Sequence, residues 1–336
     1  MDDQHYRNNI TFQYCFPDHN ESCIKQTNEG PGYFLLCFIL SCVSVCTVFL
    51  NLLVIISISH FKQLHTPTNL IILSLSVADL LVGLVNMPVD LSTLIDSCWY
   101  LGTLACYIYQ IISFVSTQAS LYSVILIAVD RYIAITDPLQ YSSQITIHKT
   151  LLSILLGWSF CLCYIIMVYY FNDNFLQSQL STICYGVCIL IVNDSWTIID
   201  LVVSFLAPCC FILILYSVIF KVAIHQAKAI RAVTNGASKT HGTRESRASE
   251  IKAAKKLGTV VFVFLACWIP YYICVCSVSV NLKFWAVLIW ILDINSFINP
   301  LMYAIFYSWF RTSVKNIVTC RIFKSSSSRI NLFPEH

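Results

Sequence analysis

Seven apolar stretches, each about 20 residues or longer, leave a chain of 336 residues little choice of fold. They are Gly32–Ser59, Leu70–Val89, Leu101–Val129, Thr150–Phe171, Ser195–Phe220, Leu257–Leu282 and Phe284–Phe310. A helix of that length crosses a hydrocarbon core of roughly 30 Å. The first, third, fourth and sixth stretches hold no Asp, Glu, Lys or Arg. Composition agrees, since 57% of residues are hydrophobic and 11% charged, against about 25% charged in soluble domains. Backbone polar groups in lipid must be satisfied within their own segment, so each stretch is predicted to be a helix. The expected fold is an all-α membrane protein: a seven-helix bundle over residues 32–310, an N-terminal segment 1–31, and a short amphipathic eighth helix with a tail over 311–336.

Basic residues set the predicted orientation, because loops rich in Lys and Arg stay cytoplasmic. Of twenty Lys and Arg, only Arg7, Lys25 and Lys283 fall on the N-terminal side; eight of the others crowd between Lys228 and Lys256. The N-terminus is therefore expected outside and the C-terminus inside, in the plasma membrane. No apolar run precedes Gly32, so the first stretch is expected to be its own insertion signal. Sequons predict glycosylation at Asn9 and Asn20, and a third stands at Asn193 beside the fifth stretch. Cys15, Cys23, Cys98, Cys106, Cys184 and Cys188 fall in the oxidising compartment, and their spacing leaves every pairing open.

Ionisable residues inside spans are expensive, and here they are acids. Asp79 lies midway along the second stretch and Asp90 nearer its outer end; Asp200 precedes Pro208 in the fifth, and Asp293 precedes Pro300 in the seventh. Carboxylates with no basic residue in the same apolar interior need a cation, a proton or strong hydrogen bonds. The outer side repeats the bias, with Asp2, Asp3, Asp18, Glu21, Glu29, Asp96, Asp173 and Asp194 against three bases. Such a mouth favours cations on approach. A structural alternative stays open, in which Asp200 and Asp293 are protonated or tied to neighbouring hydroxyls.

Other classes fit less well. A small transporter should carry an internal repeat with broken helices, and none is visible. An intramembrane enzyme should carry a catalytic constellation, but neither His-Glu-x-x-His nor Gly-x-Ser-x-Gly occurs. No enzymatic activity and no nucleic-acid partner are expected.

Motifs on nearly every span resemble the rhodopsin-like G-protein-coupled receptors: Asn51, Asp79 in Leu-Ser-Val-Ala-Asp, Asp130-Arg131-Tyr132, Trp158, Pro208 with Tyr216, Cys267-Trp268-Ile269-Pro270, and Asn299-Pro300-Leu301-Met302-Tyr303. Within that class the chain resembles the trace amine-associated receptors, through Asn295–Phe310, His60–Asn69, Ser97-Cys98-Trp99-Tyr100, Asp130–Leu139 and the tail Asn331-Leu332-Phe333. The resemblance implies an olfactory-type receptor for small cationic amines. One departure stands out: the third-span aspartate that usually anchors the ammonium is replaced by Ser113. Asp200 matches the fifth-span aspartate that serves instead in the branch expanded in bony fishes, so it becomes the expected anchor. Ser204, four residues on, shares its helical face, and Trp268, Tyr271 and Tyr272 are expected to offer ring faces.

Asp293 stands where amine receptors commonly carry Tyr. Three readings stay open: a diamine or polyamine bridging Asp200 and Asp293, a monoamine on Asp200 with Asp293 hydrogen-bonded to a neighbour, or a monoamine on Asp293. Asp90 is held only as an outer-vestibule candidate. A receptor for a non-amine ligand is the runner-up, since Ser113 removes the usual anchor.

The resemblance also implies the signalling parts. Asp79, Ser120, Asn295, Ser296 and Asn299 would form a sodium-linked cluster, with a hydrated network as the alternative and no other cofactor. Arg131 would pair with Asp130 and Glu250, then with Tyr216 and Tyr303 after a shift about Pro270 and Pro300. A heterotrimeric G protein of the stimulatory kind, raising cyclic AMP, is the implied partner, with arrestin and a receptor kinase besides. Disulfides Cys106–Cys188 and Cys23–Cys184 are implied, leaving Cys15 and Cys98 unassigned. Cys320, on an amphipathic segment Arg311–Cys320 against membrane lipid, is the candidate lipidation site. Ser325–Ser328 reads either as a phosphorylated run or as a flexible tail.

Overall fold

Helix starts follow the expected local chemistry. Pro31 opens the first span, Pro31–His60, and Thr66 caps the second, its hydroxyl accepting from the Asn69 N–H with Pro67 in the first turn. Thr146 caps the fourth span and Asn193 the fifth in the same way. The computed structural model describes residues 13–25, 30–172, 184–188, 190, 192–234, 258–259, 261–275, 282–324 and 327–332. Among them six helices are long and apolar enough to cross a membrane: Pro31–His60, Pro67–Ile95, Gly102–Thr136, Ile147–Phe171, Asp194–Val222 and Ala286–Phe306. Val261–Val275 is a shorter apolar helix between the last two, so the described chain follows the seven-helix plan. Glu250, Asn9 and most of the basic segment 228–256 lie outside the described residues.

Two spans are not α-helical throughout. The second passes through a π-helical turn at Val82–Asn86 and the fifth through another at Leu201–Leu206. Each turn holds an extra residue and re-aims the side chains above it. The first lies between Asp79 and Asp90; the second begins immediately after Asp200.

The third span is central, packing against the second, fourth and fifth. Its approach to the fourth requires a glycine: a Cβ on Gly157 would lie 2.0 Å from the Tyr122 ring. Next to that contact the Trp158 indole N–H donates to Ser74 Oγ at 3.0 Å, and Ser74 lies 3.1 Å from Ser123 Oγ. Asn51 Nδ2 donates to the Ser296 carbonyl at 3.0 Å and joins the first span to the seventh. Phe38, Leu155 and Ile214 point outward, as apolar residues facing lipid should.

One end of the bundle carries a capped surface. Cys15–Cys98, Cys23–Cys184 and Cys106–Cys188 are disulfides, so the two cysteines left unassigned above pair with each other. Residues 13–25, the second-to-third loop and residues 184–188 thereby become one layer. Trp99 N–H donates to the Gly186 carbonyl, and Lys25 Nζ lies 2.7 Å from Asp96. Partial burial pushes the Asp96 carboxyl up. Lys25, the Tyr100 hydroxyl and the Cys98 N–H outweigh that effect and hold it below the usual carboxylate range. The contact with Asp96 raises the Lys25 ammonium.

At the opposite end the seventh-span helix stops at Phe306, and a separate helix, Ser308–Val318, begins after Tyr307. The amphipathic helix thus starts three residues earlier than its charge pattern suggested. Trp309 and Phe310, read above as the end of the span, are instead its buried face. Arg311 donates to the Ala304 and Ile305 carbonyls left open at the break.

Candidate ligand and switch sites

Asp200 ends the regular turn of the fifth span, and its carboxylate is held by hydroxyls from three helices. Ser204 Oγ donates to Oδ1 at 2.6 Å, Tyr164 of the fourth span to Oδ1 at 3.5 Å, and Tyr272 of the sixth to Oδ2 at 3.2 Å. No Lys or Arg bonds to it among the described residues. Tyr272 begins a stack of rings. It lies parallel to Phe205 at 4.4 Å and to Trp268 at 5.9 Å, and Trp268 lies over Phe264 at 5.4 Å. Tyr271 meets Tyr272 edge-on. Sequence reasoning missed Tyr164, an ordinary aromatic of an apolar span whose only signal is its register against Asp200; Phe114 stacks on it at 5.6 Å.

Asp293 stands in a different network. Its carboxyl lies against that of Asp90, and the Tyr109 hydroxyl donates to Asp90 Oδ1 at 2.8 Å. Asp90, held above as an outer-vestibule candidate, is thus a neighbour of Asp293. Asp293 is 5% exposed, and its Oδ2 has no partner. Asn86 Oδ1, four residues before Asp90, and Trp290 Nε1, three before Asp293, are likewise buried without partners. Ser113 belongs here too, as a neighbour of Tyr109. Its position thus faces the acid pair and contributes no bond to Asp200.

Deeper in the bundle Asp79 is fully buried. Ser120 Oγ donates to Oδ1 at 3.1 Å, Asn299 Nδ2 to Oδ2 at 2.8 Å, and Ser296 also bonds to it. Asn295 Oδ1 is a buried acceptor with no partner. One carboxylate, two hydroxyls and an unsatisfied amide oxygen form a donor set that suits a hard monovalent cation.

At the end away from the disulfides, Arg131 Nη2 lies 2.6 Å from Asp130 Oδ2 and 2.8 Å from Thr68 Oγ1. Thr68 and Tyr141 both donate to Asp130, each at 2.8 Å. Burial first and Asp130 second push the Tyr141 hydroxyl up to about 12, so it remains a donor near neutral pH. Thr68, in the first turn of the second span, and Tyr141, in a short helix after the third, were not singled out from the sequence, because only the packing of separate elements brings them to Asp130. Tyr132 packs at the edge of the main core. Tyr216 and Tyr303 are buried and their hydroxyls lack partners. Pro270 and Pro300 lie within the sixth and seventh helices. Cys320 is exposed at the end of the amphipathic helix, and Asn20 is exposed in the N-terminal segment.

The sequence model of the 7 transmembrane receptor (rhodopsin family) matches residues 50–303. Over 329 residues, 96% of each chain, the protein is 38% identical to trace amine-associated receptor 13c of Danio rerio. It is 37% identical over 340 residues, 97% of each chain, to trace amine-associated receptor 6 of Homo sapiens. To trace amine-associated receptor 9 of Mus musculus it is 37% identical over 333 residues, 96% of this chain and 95% of that one. The chain is therefore a non-enzymatic membrane receptor of the rhodopsin family and belongs, within it, to the trace amine-associated receptors.

Proposed function

We propose that this receptor binds small cationic amines, with the ammonium anchored on Asp200, and signals from the plasma membrane through a stimulatory G protein to raise cyclic AMP. The observation that carries the reading is the Asp200 carboxylate, held by three hydroxyls and met by no basic side chain among the described residues. An ammonium supplies the missing charge; at about 4 Å and an effective dielectric near 20 the contact is worth on the order of 4 kcal/mol before desolvation. The N-terminus and the disulfides lie outside, and Arg131, the basic segment and the tail lie inside, meeting the G protein and then arrestin and a receptor kinase.

A ligand that draws on Asp200 competes with the Tyr272 hydroxyl and moves the ring stack that ends on Trp268 and Phe264. Opening at the Arg131 end follows as a shift between two states. The partnerless hydroxyls of Tyr216 and Tyr303 are suited to meet Arg131 in the open state. A sodium ion held by Asp79, Ser120, Asn295, Ser296 and Asn299 would supply positive charge that favours the closed state.

A second reading concerns ligand length. The Asp90–Asp293 pair, with a partnerless Oδ2, favours a second acidic subsite for the far ammonium of a diamine or polyamine.

The test is cyclic AMP production in cells expressing the receptor, exposed to monoamines, a length series of alkyl diamines and polyamines, beside cells expressing Asp200→Asn at equal surface density. Responses lost in Asp200→Asn are expected. Unchanged potency in that variant overturns the anchor, and silence of the parent toward every amine turns the reading toward a non-amine ligand.

A further inference from the structure

Beyond the amphipathic helix the tail doubles back on the first loop. Cys320 takes a left-handed backbone, φ 55°, and reverses the chain; short turns follow at Arg321–Phe323 and Ser327–Arg329. The second turn lies against Lys62–Leu64. Leu332, fully buried, enters the apolar cluster that contains Phe61 and Leu64, and its N–H donates to Gln63 Oε1 at 3.0 Å. Ser327 is 5% exposed; its hydroxyl donates to the Ile322 carbonyl at 2.6 Å and lies 3.0 Å from His60 Nε2.

We propose that residues 327–332 form a releasable latch on the first loop, and that phosphorylation of Ser327 opens it. A protein kinase would transfer the terminal phosphoryl group of a nucleoside triphosphate to Ser327 Oγ, breaking the bond to the leaving nucleoside diphosphate and releasing the hydroxyl proton. Lys324 stands three residues before Ser327, Arg321 six before and Arg329 two after, a setting that suits a kinase with an acidic substrate groove. Phosphoserine carries a charge of about −1.5 to −2 and has no hydroxyl left to donate. In this seat it would meet the Ile322 carbonyl as a repelling neighbour, and its charge would have to be buried. His60 is the facing group that could hold the phosphate in place; in the proposed latch, loss of the Ile322 bond and burial of the new charge outweigh that contact and release the tail.

Docking also shields Oγ, so the kinase must act on the opened tail. Buried Leu332, partly buried Ile330, the main-chain bond to Gln63 and the Ser327 contacts hold a short segment at the surface of the bundle, of the kind that opens by local fluctuation. The modification in cells uses the cytoplasmic tail proposed above. The latch can be tested without that assumption, in lipid nanodiscs where both faces meet solvent.

Hydrogen–deuterium exchange of the full chain is followed over residues 327–332. Ser327→Glu and Leu332→Ala are expected to exchange about tenfold faster than the parent. Gln63→Ala, which removes one hydrogen bond outside the bundle, is expected to move in the same direction and serves if Leu332→Ala fails to fold. A purified basic-directed kinase with ATP should place phosphate on Ser327, read by mass spectrometry, and do so faster in the latch variants. Parent exchange as fast as that of the latch variants overturns the latch. Absence of phosphate at Ser327 in every form, a rate indifferent to the latch variants, or phosphate that leaves exchange unchanged overturns the modification site.

Discussion

Tyr272 donates its hydroxyl to Asp200 at 3.2 Å while its ring lies parallel to that of Trp268, 5.9 Å away. One side chain therefore joins the proposed ammonium anchor to the interior of the sixth span. A change in what Asp200 binds would therefore reach Trp268, about one turn deeper, through a single side chain.

The two partners should separate in mutagenesis. Asp200→Asn removes the charge and is expected to raise the half-maximal amine concentration by about 100-fold or more. Tyr272→Phe removes a hydrogen bond to a charged group, worth about 1.5–3 kcal/mol, yet keeps the ring stack. Maximal signalling should fall while radioligand affinity stays within a few-fold. Equal loss of affinity in both variants would show that Tyr272 only positions the carboxylate.

The acid pair makes a prediction about ligand length. Asp293→Asn or Asp90→Asn should weaken diamines about tenfold or more and monoamines by little. Dose–response curves for a monoamine and its diamine counterpart in the same cells provide the check. Parallel shifts would assign the pair a structural role.

Tyr141 and Thr68 hold Asp130 against Arg131. Tyr141→Phe removes one donor from the carboxylate and is expected to raise ligand-independent cyclic AMP about threefold to tenfold. Basal signalling at parental levels would mean that Tyr141 does not bias the closed state.

The disulfide-linked cap supplies a pH prediction. Asp96 is held below its ordinary value, so its contribution is present above the unfolded value near 3.9 and is lost as pH falls through the folded one. Lys25 is raised, so its contribution is complete below about 10.4 and is lost as pH rises through the folded value. Hydrogen exchange of residues 13–25 should therefore be insensitive to this pair between about pH 5 and pH 9. A step within that window that disappears in Lys25→Ala would contradict the assignment.

Much of the site was legible because helical spacing is local. Asp200 and Ser204 were placed together from four-residue spacing, and they do bond, although through a π-turn that no periodicity announces. The sequence offers the ring of Tyr272 as a ligand face, and nothing in its spacing announces the hydroxyl contact with Asp200. Asp90 with Asp293, Tyr164 with Asp200, and Tyr141 with Asp130 are pairings between spans. They depend on the rotation and depth of one helix against another, which a single sequence does not encode in any spacing. Six cysteines likewise left Cys15–Cys98 open until the loops were in place. The docking of Leu332 was invisible for the opposite reason, since a short polar tail carries too few apolar residues to predict a seat.

The π-turn at Leu201–Leu206 has a consequence for how such a receptor diversifies. Below it, Pro208 and Tyr216 keep the register that the switch needs. Above it, adding or deleting one residue within the turn would swing Asp200 by about 100° around the helix axis. The half of the helix that holds the proposed anchor can thus be re-indexed while the half nearer Arg131 stays in place, so that ligand chemistries are exchanged by small insertions as readily as by substitutions.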